Sequence, residues 1–266
     1  METKFITLTT DFGHRDPFVG TMKGVILGVN PHVRIVDLTH GIPPQDLIAG
    51  ALALRASVSF FPRGTIHVAV VDPGVGSERR PLVIESEQFL FVGPDNGIFS
   101  LALQGQAIKQ AIELSNETYH LKPTSKTFHG RDIFAPVAAH LAQGVPPREM
   151  GRPAKELSKL PYPEVIKTEG VIQGVVMYVD GFGNLVTNID EHDLKTIPPE
   201  DVVVSVGDLT IQGLAPTYSH AEQGGYIALI NSSGLLEVSL FKGNAQACCG
   251  AKIGAQVRIR DHRLVP

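Results

Sequence analysis

The succession of elements changes near residue 160, and that change restricts the chain to two architectures in series. Before it, apolar strand-like runs alternate with helix-like stretches. Residues 5–10 form a strand pattern that runs into Asp11. Pro17 stands at a helix start, and the apolar stretch behind it stops at Gly28-Val29-Asn30-Pro31. A second strand pattern, 33–37, ends on Asp37 and leads through Pro43-Pro44-Gln45-Asp46 into a helix to about Ser57. A third, 66–71, ends on Asp72. Strand patterns at 82–85 and 89–92 follow, then a short helix near 98–103 and a longer one over 132–143. Such alternation predicts a largely parallel sheet covered on both faces. After the segment 157–164, where Pro161 and Pro163 interrupt any regular element, the pattern differs. Short strands at 171–179, 185–189, 202–206, 227–230, 236–240 and 256–259 are separated by Gly, Asn, Asp and Ser turns. That spacing suits a small antiparallel barrel or sandwich. Two domains are expected, with the break near residue 163.

With 43% hydrophobic and 19% charged residues, the chain can bury a core and is far from disorder. Its net charge of -4 offers no attraction to nucleic acid or an anionic membrane. The two cysteines, Cys248 and Cys249, are adjacent, so they form neither a disulfide framework nor a CxxC metal knuckle. Met1-Glu2-Thr3-Lys4 passes straight into a strand without a signal segment, and no apolar stretch approaches the ~20 residues of a membrane helix. A soluble cytoplasmic protein is the expectation.

Ligands of an open parallel sheet gather outside the carboxyl ends of its strands. Asp11, Asp37 and Asp72 at that edge suit a site that grips hydroxyls or amines, or orients water. Asp16 reads equally as a ligand or as the cap of the following helix. The loop Asp72-Pro73-Gly74-Val75-Gly76-Ser77-Glu78-Arg79-Arg80 lacks both the dinucleotide fingerprint and the Gly-Lys-Ser/Thr end of a P-loop. A nucleotide bound here would be a phosphate-free nucleoside. Otherwise the glycines make a tight turn and both arginines face solvent. His129, in Phe128-His129-Gly130-Arg131-Asp132, is either structural or a titrating partner of Asp72. Asp11, Asp37, His40, Asp72 and His129 have metal-ligating atoms, but no HExxH or clustered His-x-His string accompanies them, and no metal is expected. In Asp180-Gly181-Phe182-Gly183-Asn184, glycines flank an aromatic ring beside an amide, which suits a purine. The same string also makes a hairpin turn with Phe182 in the core. Asn231-Ser232-Ser233-Gly234 is a good turn.

Taken in order along nearly the whole chain, six segments resemble the S-adenosyl-L-methionine hydroxide adenosyltransferases, the hydrolase relatives of fluorinases and chlorinases. They are Thr9-Thr10-Asp11-Phe12-Gly13, residues 70–76, Gly93-Pro94-Asp95-Asn96-Gly97, residues 128–132, Phe182-Gly183-Asn184 and residues 231–234. The resemblance implies an N-terminal Rossmann-like α/β domain over residues 1–160 and a C-terminal antiparallel β-barrel domain over 168–266. It also implies a homotrimer with sites between subunits, and S-adenosyl-L-methionine as substrate with no further cofactor. In that likeness Asp72, Arg79 and His129 activate water, and Asp11 holds the ribose hydroxyls. Asp16 and Asp180 meet the methionine end, Phe182 and Asn184 hold adenine, and Ser232 lies near the methionine carboxylate. Ser233 stands where the fluorinase has arginine, and Phe241-Lys242-Gly243-Asn244 departs from the usual Asn at its first position. The halide-using relatives lack the Asp and His of the triad, which separates a hydrolase from a halogenase. Rival expectations are a nucleoside-binding protein without turnover and a metal-dependent phosphohydrolase.

Overall fold

A computed structural model of the protein describes residues 4–264. The chain divides into two compact units, one up to Pro161 and one from Tyr162. The first contains β1 (Phe5–Thr10), α1 (Phe18–Val29), β2 (Arg34–Thr39), α2 (Leu47–Ser57), β3 (Ile66–Val70), β4 (Pro81–Ser86), β5 (Leu90–Pro94), β6 (Ile108–Glu113), α3 (Ala135–Ala142) and β7 (Arg152–Pro153). Its seven strands form one sheet in the order β2-β1-β3-β5-β4-β6-β7.

Only half of this sheet is parallel. β2, β1, β3 and β5 run the same way, whereas β4, β6 and β7 add on antiparallel. The expectation of a largely parallel sheet therefore gives way to a mixed one. The reason is the short link between β4 and β5, which can make only a hairpin, since a parallel return needs a crossover of a dozen residues or more. Every residue of β3 is buried, as a central strand covered on both faces requires. On α1 the buried side chains are Val19, Met22 and Ile26, a stripe at helical spacing, each contributing roughly 1.5–3 kcal/mol. α3 is rich in alanine, which lets its backbone pack closely within the same core.

Two helices differ from expectation. Residues 98–103 form hydrogen-bonded turns rather than a helix. The helix expected over 132–143 is instead a π-helical turn, Gly130–Phe134, that passes into α3. Asp37 lies inside β2, not beyond its end. Its carboxylate meets Lys23 Nζ at 2.6 Å and His40 Nε2 at 3.0 Å. It is thus held by its neighbours and does not join Asp11 and Asp72.

The second unit contains β8 (Ile166–Thr168), β9 (Val171–Val179), β10 (Leu185–Asp190), β11 (Val202–Val206), β12 (Leu209–Gln212), β13 (Tyr226–Ile230), β14 (Leu235–Leu240), α4 (Ala245–Cys249) and β15 (Gln256–Asp261). All its pairings are antiparallel, in the order β12-β11-β15-β9-β10-β14-β13, with β8 on β9. Ala215 N–H donates to Ala228 O at 2.8 Å, which draws the chain after β12 onto β13 and nearly closes the sheet into a barrel. Its interior is Val, Ile and Leu from alternate strand positions. Among the described residues no helix is long and apolar enough to cross a membrane.

Candidate active site

β1 and β3 are parallel neighbours, so the chain leaves both at the same edge of the sheet. Asp11 follows β1 directly and Asp72 stands two residues beyond β3. Both line one cavity of about 360 Å³ together with Phe12, Gln45, Phe128 and His129. Gly76 allows the loop after Asp72 to approach closely. Its φ is +78°, and an added Cβ would collide with the carbonyl oxygen of Lys126. The loop carrying Arg79 therefore lies against the loop carrying His129.

Arg79 connects the other two members. Its Nε donates to Asp72 Oδ1 at 3.0 Å and its Nη2 to Asp72 Oδ2 at 2.5 Å, a bidentate pair. The same Nη2 lies 2.7 Å from His129 Nδ1. A guanidinium can only donate, so Nδ1 accepts and neutral His129 carries its proton on Nε2. The Asp72 and Arg79 side chains are only 5% and 9% exposed, which strengthens their pairing. Burial lowers the His129 pKa below its usual value, and the Arg79 charge adds to the shift against the opposing pull of Asp72 and Asp132. His129 is held from behind by the π-helical turn. There Asp132 is fully buried, pairs with Arg131 and accepts from Ser125 N at 2.7 Å. Asp132 starts no cap of its own; it ties the 125–129 loop to the turn.

Asp11 is oriented by backbone. Gln45 N–H donates to Asp11 Oδ2 at 2.8 Å, leaving Oδ1 to accept elsewhere. Asp16 is exposed and makes no capping bond to α1, whose N-cap position is Pro17.

In the second unit, Asp180 closes the turn between β9 and β10. Its Oδ1 accepts from Phe182 N and Asn184 N, both at 2.9 Å, and its Oδ2 accepts from Asn184 Nδ2 at 2.9 Å. Asn184 Nδ2 is thereby engaged and its Oδ1 remains an acceptor. Gly183 adopts φ +84°, and any side chain there would strike the Asn244 amide. Phe182 is 79% exposed, so it is no core residue. Phe182 and Asn184 line a second cavity, about 570 Å³, with Tyr218, Phe241, Lys242 and Asn244.

Sequence reasoning missed Tyr218. Its hydroxyl donates to Glu237 Oε1 at 2.9 Å, and burial together with that carboxylate pushes its pKa up to about 12. Glu237 is itself buried and also accepts from Ser239 Oγ at 2.7 Å and Asn231 Nδ2 at 3.1 Å. This network anchors the hairpin turn on which Ser232 stands exposed. Contacts 6 to 19 residues apart, made by side chains of ordinary types, carry no local signal. Among the described residues no three His, Cys, Asp or Glu side chains are grouped to hold a metal ion.

A mixed α/β unit with a part-buried Asp-Arg-His constellation, followed by a barrel-like unit with an aromatic pocket, defines a two-domain enzyme acting on a small molecule. Residues 6–151 match the SAM hydroxide adenosyltransferase N-terminal domain and residues 174–258 match the corresponding C-terminal domain. The chain belongs to the SAM hydroxide adenosyltransferase family. It is 39% identical to a Thermus thermophilus protein named (R)-S-adenosyl-L-methionine hydrolase, over 94% of this chain and 97% of that one. A Methanocaldococcus jannaschii protein of the same name is 36% identical, over 90% and 89%. A fluorinase of Actinoplanes is more distant, at 29% over 88% and 90%. A Thermotoga maritima crystal structure, of an uncharacterized conserved protein, superposes with a TM-score of 0.90 at 33% identity, over 96% of this chain and 99% of that one.

Proposed function

We propose that the chain hydrolyses S-adenosyl-L-methionine to adenosine and L-methionine by attack of water at the ribose C5′. The observation that carries this reading is Arg79 clasped between Asp72 and His129 beside Asp11. It occurs in a chain 36–39% identical, over nearly its full length, to proteins named as such hydrolases.

The sulfonium departs as a neutral thioether, so the leaving group needs neither a proton nor a Lewis acid. Catalysis rests on holding one water in line with C5′, which is worth up to ~7–11 kcal/mol. His129 Nε2–H donates to that water and sets the direction of its lone pairs. With Nδ1 occupied by Arg79, His129 has no free acceptor, so Asp72 receives the proton. The oxygen–C5′ bond forms, the C5′–sulfur bond breaks with its electron pair going to sulfur, and the proton passes from Asp72 to solvent.

In this reading Asp11 binds the ribose hydroxyls, Phe182 and Asn184 take the adenine, and Ser232 lies near the methionine carboxylate. Asp16 and Asp180 face the methionine ammonium. Three of the roughly four acceptor sites of Asp180 are filled by its own turn, so it offers its charge and one remaining site. No cofactor beyond the substrate is required. The parallel half of the first sheet, with Asp11 and Asp72 at its carboxyl edge, supports reading that unit as Rossmann-like. The triad and the aromatic pocket belong to different units, and the exposed Phe182 ring suits coverage by another chain. We therefore assign the complete site to the interface between neighbouring subunits of a homotrimer. Free Cys248 and Cys249 agree with a cytoplasmic setting.

The test is product analysis by chromatography after incubation with S-adenosyl-L-methionine, for the wild type and Asp72→Asn. Adenosine and methionine are expected in equal amounts, with turnover lost in the variant. A dominant 5′-halogenated nucleoside in chloride would make the protein a halogenase. Binding without turnover would make it a nucleoside-binding protein.

A further inference from the structure

Gln45 is one of two non-glycine residues with positive φ among the described residues, at +67°. Glutamine has no special tolerance of that region, unlike glycine or asparagine, and such outliers gather at functional sites. Two consequences of the conformation are visible. The backbone N–H reaches Asp11 Oδ2 at 2.8 Å, and the residue lines the cavity shared by Asp11, Asp72 and His129. The backbone bond alone does not explain the residue type, because glycine would supply the same N–H without strain. Gln45 is exposed and lines that cavity, and its side chain carries an amide that can both donate and accept.

We propose that Gln45 is a substrate-binding residue that works with Asp11 as a clamp on a vicinal diol. This inference rests on the reading of the site as one for an adenosyl sulfonium. Asp11 Oδ2 already accepts from the Gln45 backbone, so Oδ1 takes one hydroxyl and the Gln45 amide takes its neighbour. The backbone bond of 2.8 Å joins the two residues at the wall of one cavity. Discrimination between a ribosyl and a deoxyribosyl substrate follows, because a site built to bond a hydroxyl rejects the analogue that lacks it.

The experiment compares Gln45→Gly with the wild type on S-adenosyl-L-methionine and on its 2′-deoxy and 3′-deoxy analogues. Glycine retains the backbone N–H and the left-handed conformation, so only the side chain is removed. The KM for the full substrate is expected to rise about ten-fold with kcat little changed, the usual worth of one hydrogen bond. On one of the two deoxy analogues the variant and the wild type should have the same KM. Gln45→Asn, which tolerates the same φ but is one methylene shorter, should resemble the glycine variant. An unchanged KM in Gln45→Gly, or the same penalty on all three substrates, overturns the assignment while leaving the hydrolase reading intact. A wild type that releases no adenosine overturns both.

Discussion

His129 keeps its place by accepting a bond from Arg79, so its protonation and the geometry of the triad are linked. A proton added to Nδ1 would set two donors against each other at 2.7 Å. Because burial, then Arg79, lowers the His129 pKa, this happens only below the usual imidazole value of 6.5. The pH profile of kcat/KM should therefore be flat near neutrality and fall on an acid limb below pH 6.5. His129→Asn retains an acceptor for Arg79 but loses the outward N–H. Its kcat should drop by roughly 10²-fold, comparable to the loss of one well-placed donor, and the imidazole limb should vanish. An unchanged limb in that variant would assign the titration to another group. At this scale Asp72, Arg79 and His129 were visible in the sequence as separate motifs, while the order of their bonding was not. In the loop itself Arg79 and Arg80 are adjacent and locally equivalent. The resemblance points to Arg79, and the fold separates the two physically, turning Arg80 to Asp95 and the Glu156 carbonyl.

β3 carries an acid-sensitive group of the first unit. His67 is fully buried on that strand among Phe61, Phe89 and Phe91, with Thr7 Oγ1 2.8 Å from Nδ1. Burial lowers its pKa to about 3. The unfolded chain, with a pKa near 6.5, therefore binds a proton that the folded chain refuses. The stability involved is fully present above pH 6.5 and is lost as pH falls toward 3. Between pH 7 and pH 4 the loss is roughly 3 kcal/mol. Chemical denaturation at those two pH values should show this slope in the wild type. His67→Asn, which retains an acceptor or donor toward Thr7 without titrating, should flatten it by about that amount. An equal slope in both proteins would remove His67 from the account. Elements were unevenly legible. The stripe of α1, the Asp46 cap of α2 and the strands β9 and β11 stand in the sequence as periodicity and caps. The antiparallel edge of the first sheet does not, because apolar runs buried on both faces look alike in either direction. The apolar residues 98–103 pack as turns, and the left-handed Gln45 follows from no propensity of glutamine.

At the scale of the whole molecule, each unit carries part of the proposed site, the triad in the first and the aromatic pocket in the second. Asp72→Ala and Asn184→Ala should each be inactive as pure proteins. If sites combine units of neighbouring chains, subunits of the two variants, dissociated and reassociated together, should regain part of the wild-type activity. Verified mixed oligomers without activity would contradict a shared site. The change of pattern at residue 160 was readable because prolines and turn residues interrupt periodicity. The proposed assembly stands in the sequence only through the family resemblance, because an exposed phenylalanine has the same local sequence whether or not another chain covers it. In the proposed reaction it is water that attacks C5′. A single turnover in oxygen-18 water, followed by mass spectrometry of both products, tests it most directly. Adenosine labelled at the 5′-hydroxyl and unlabelled methionine are the expected products. Unlabelled adenosine, or label in methionine, would contradict that reaction.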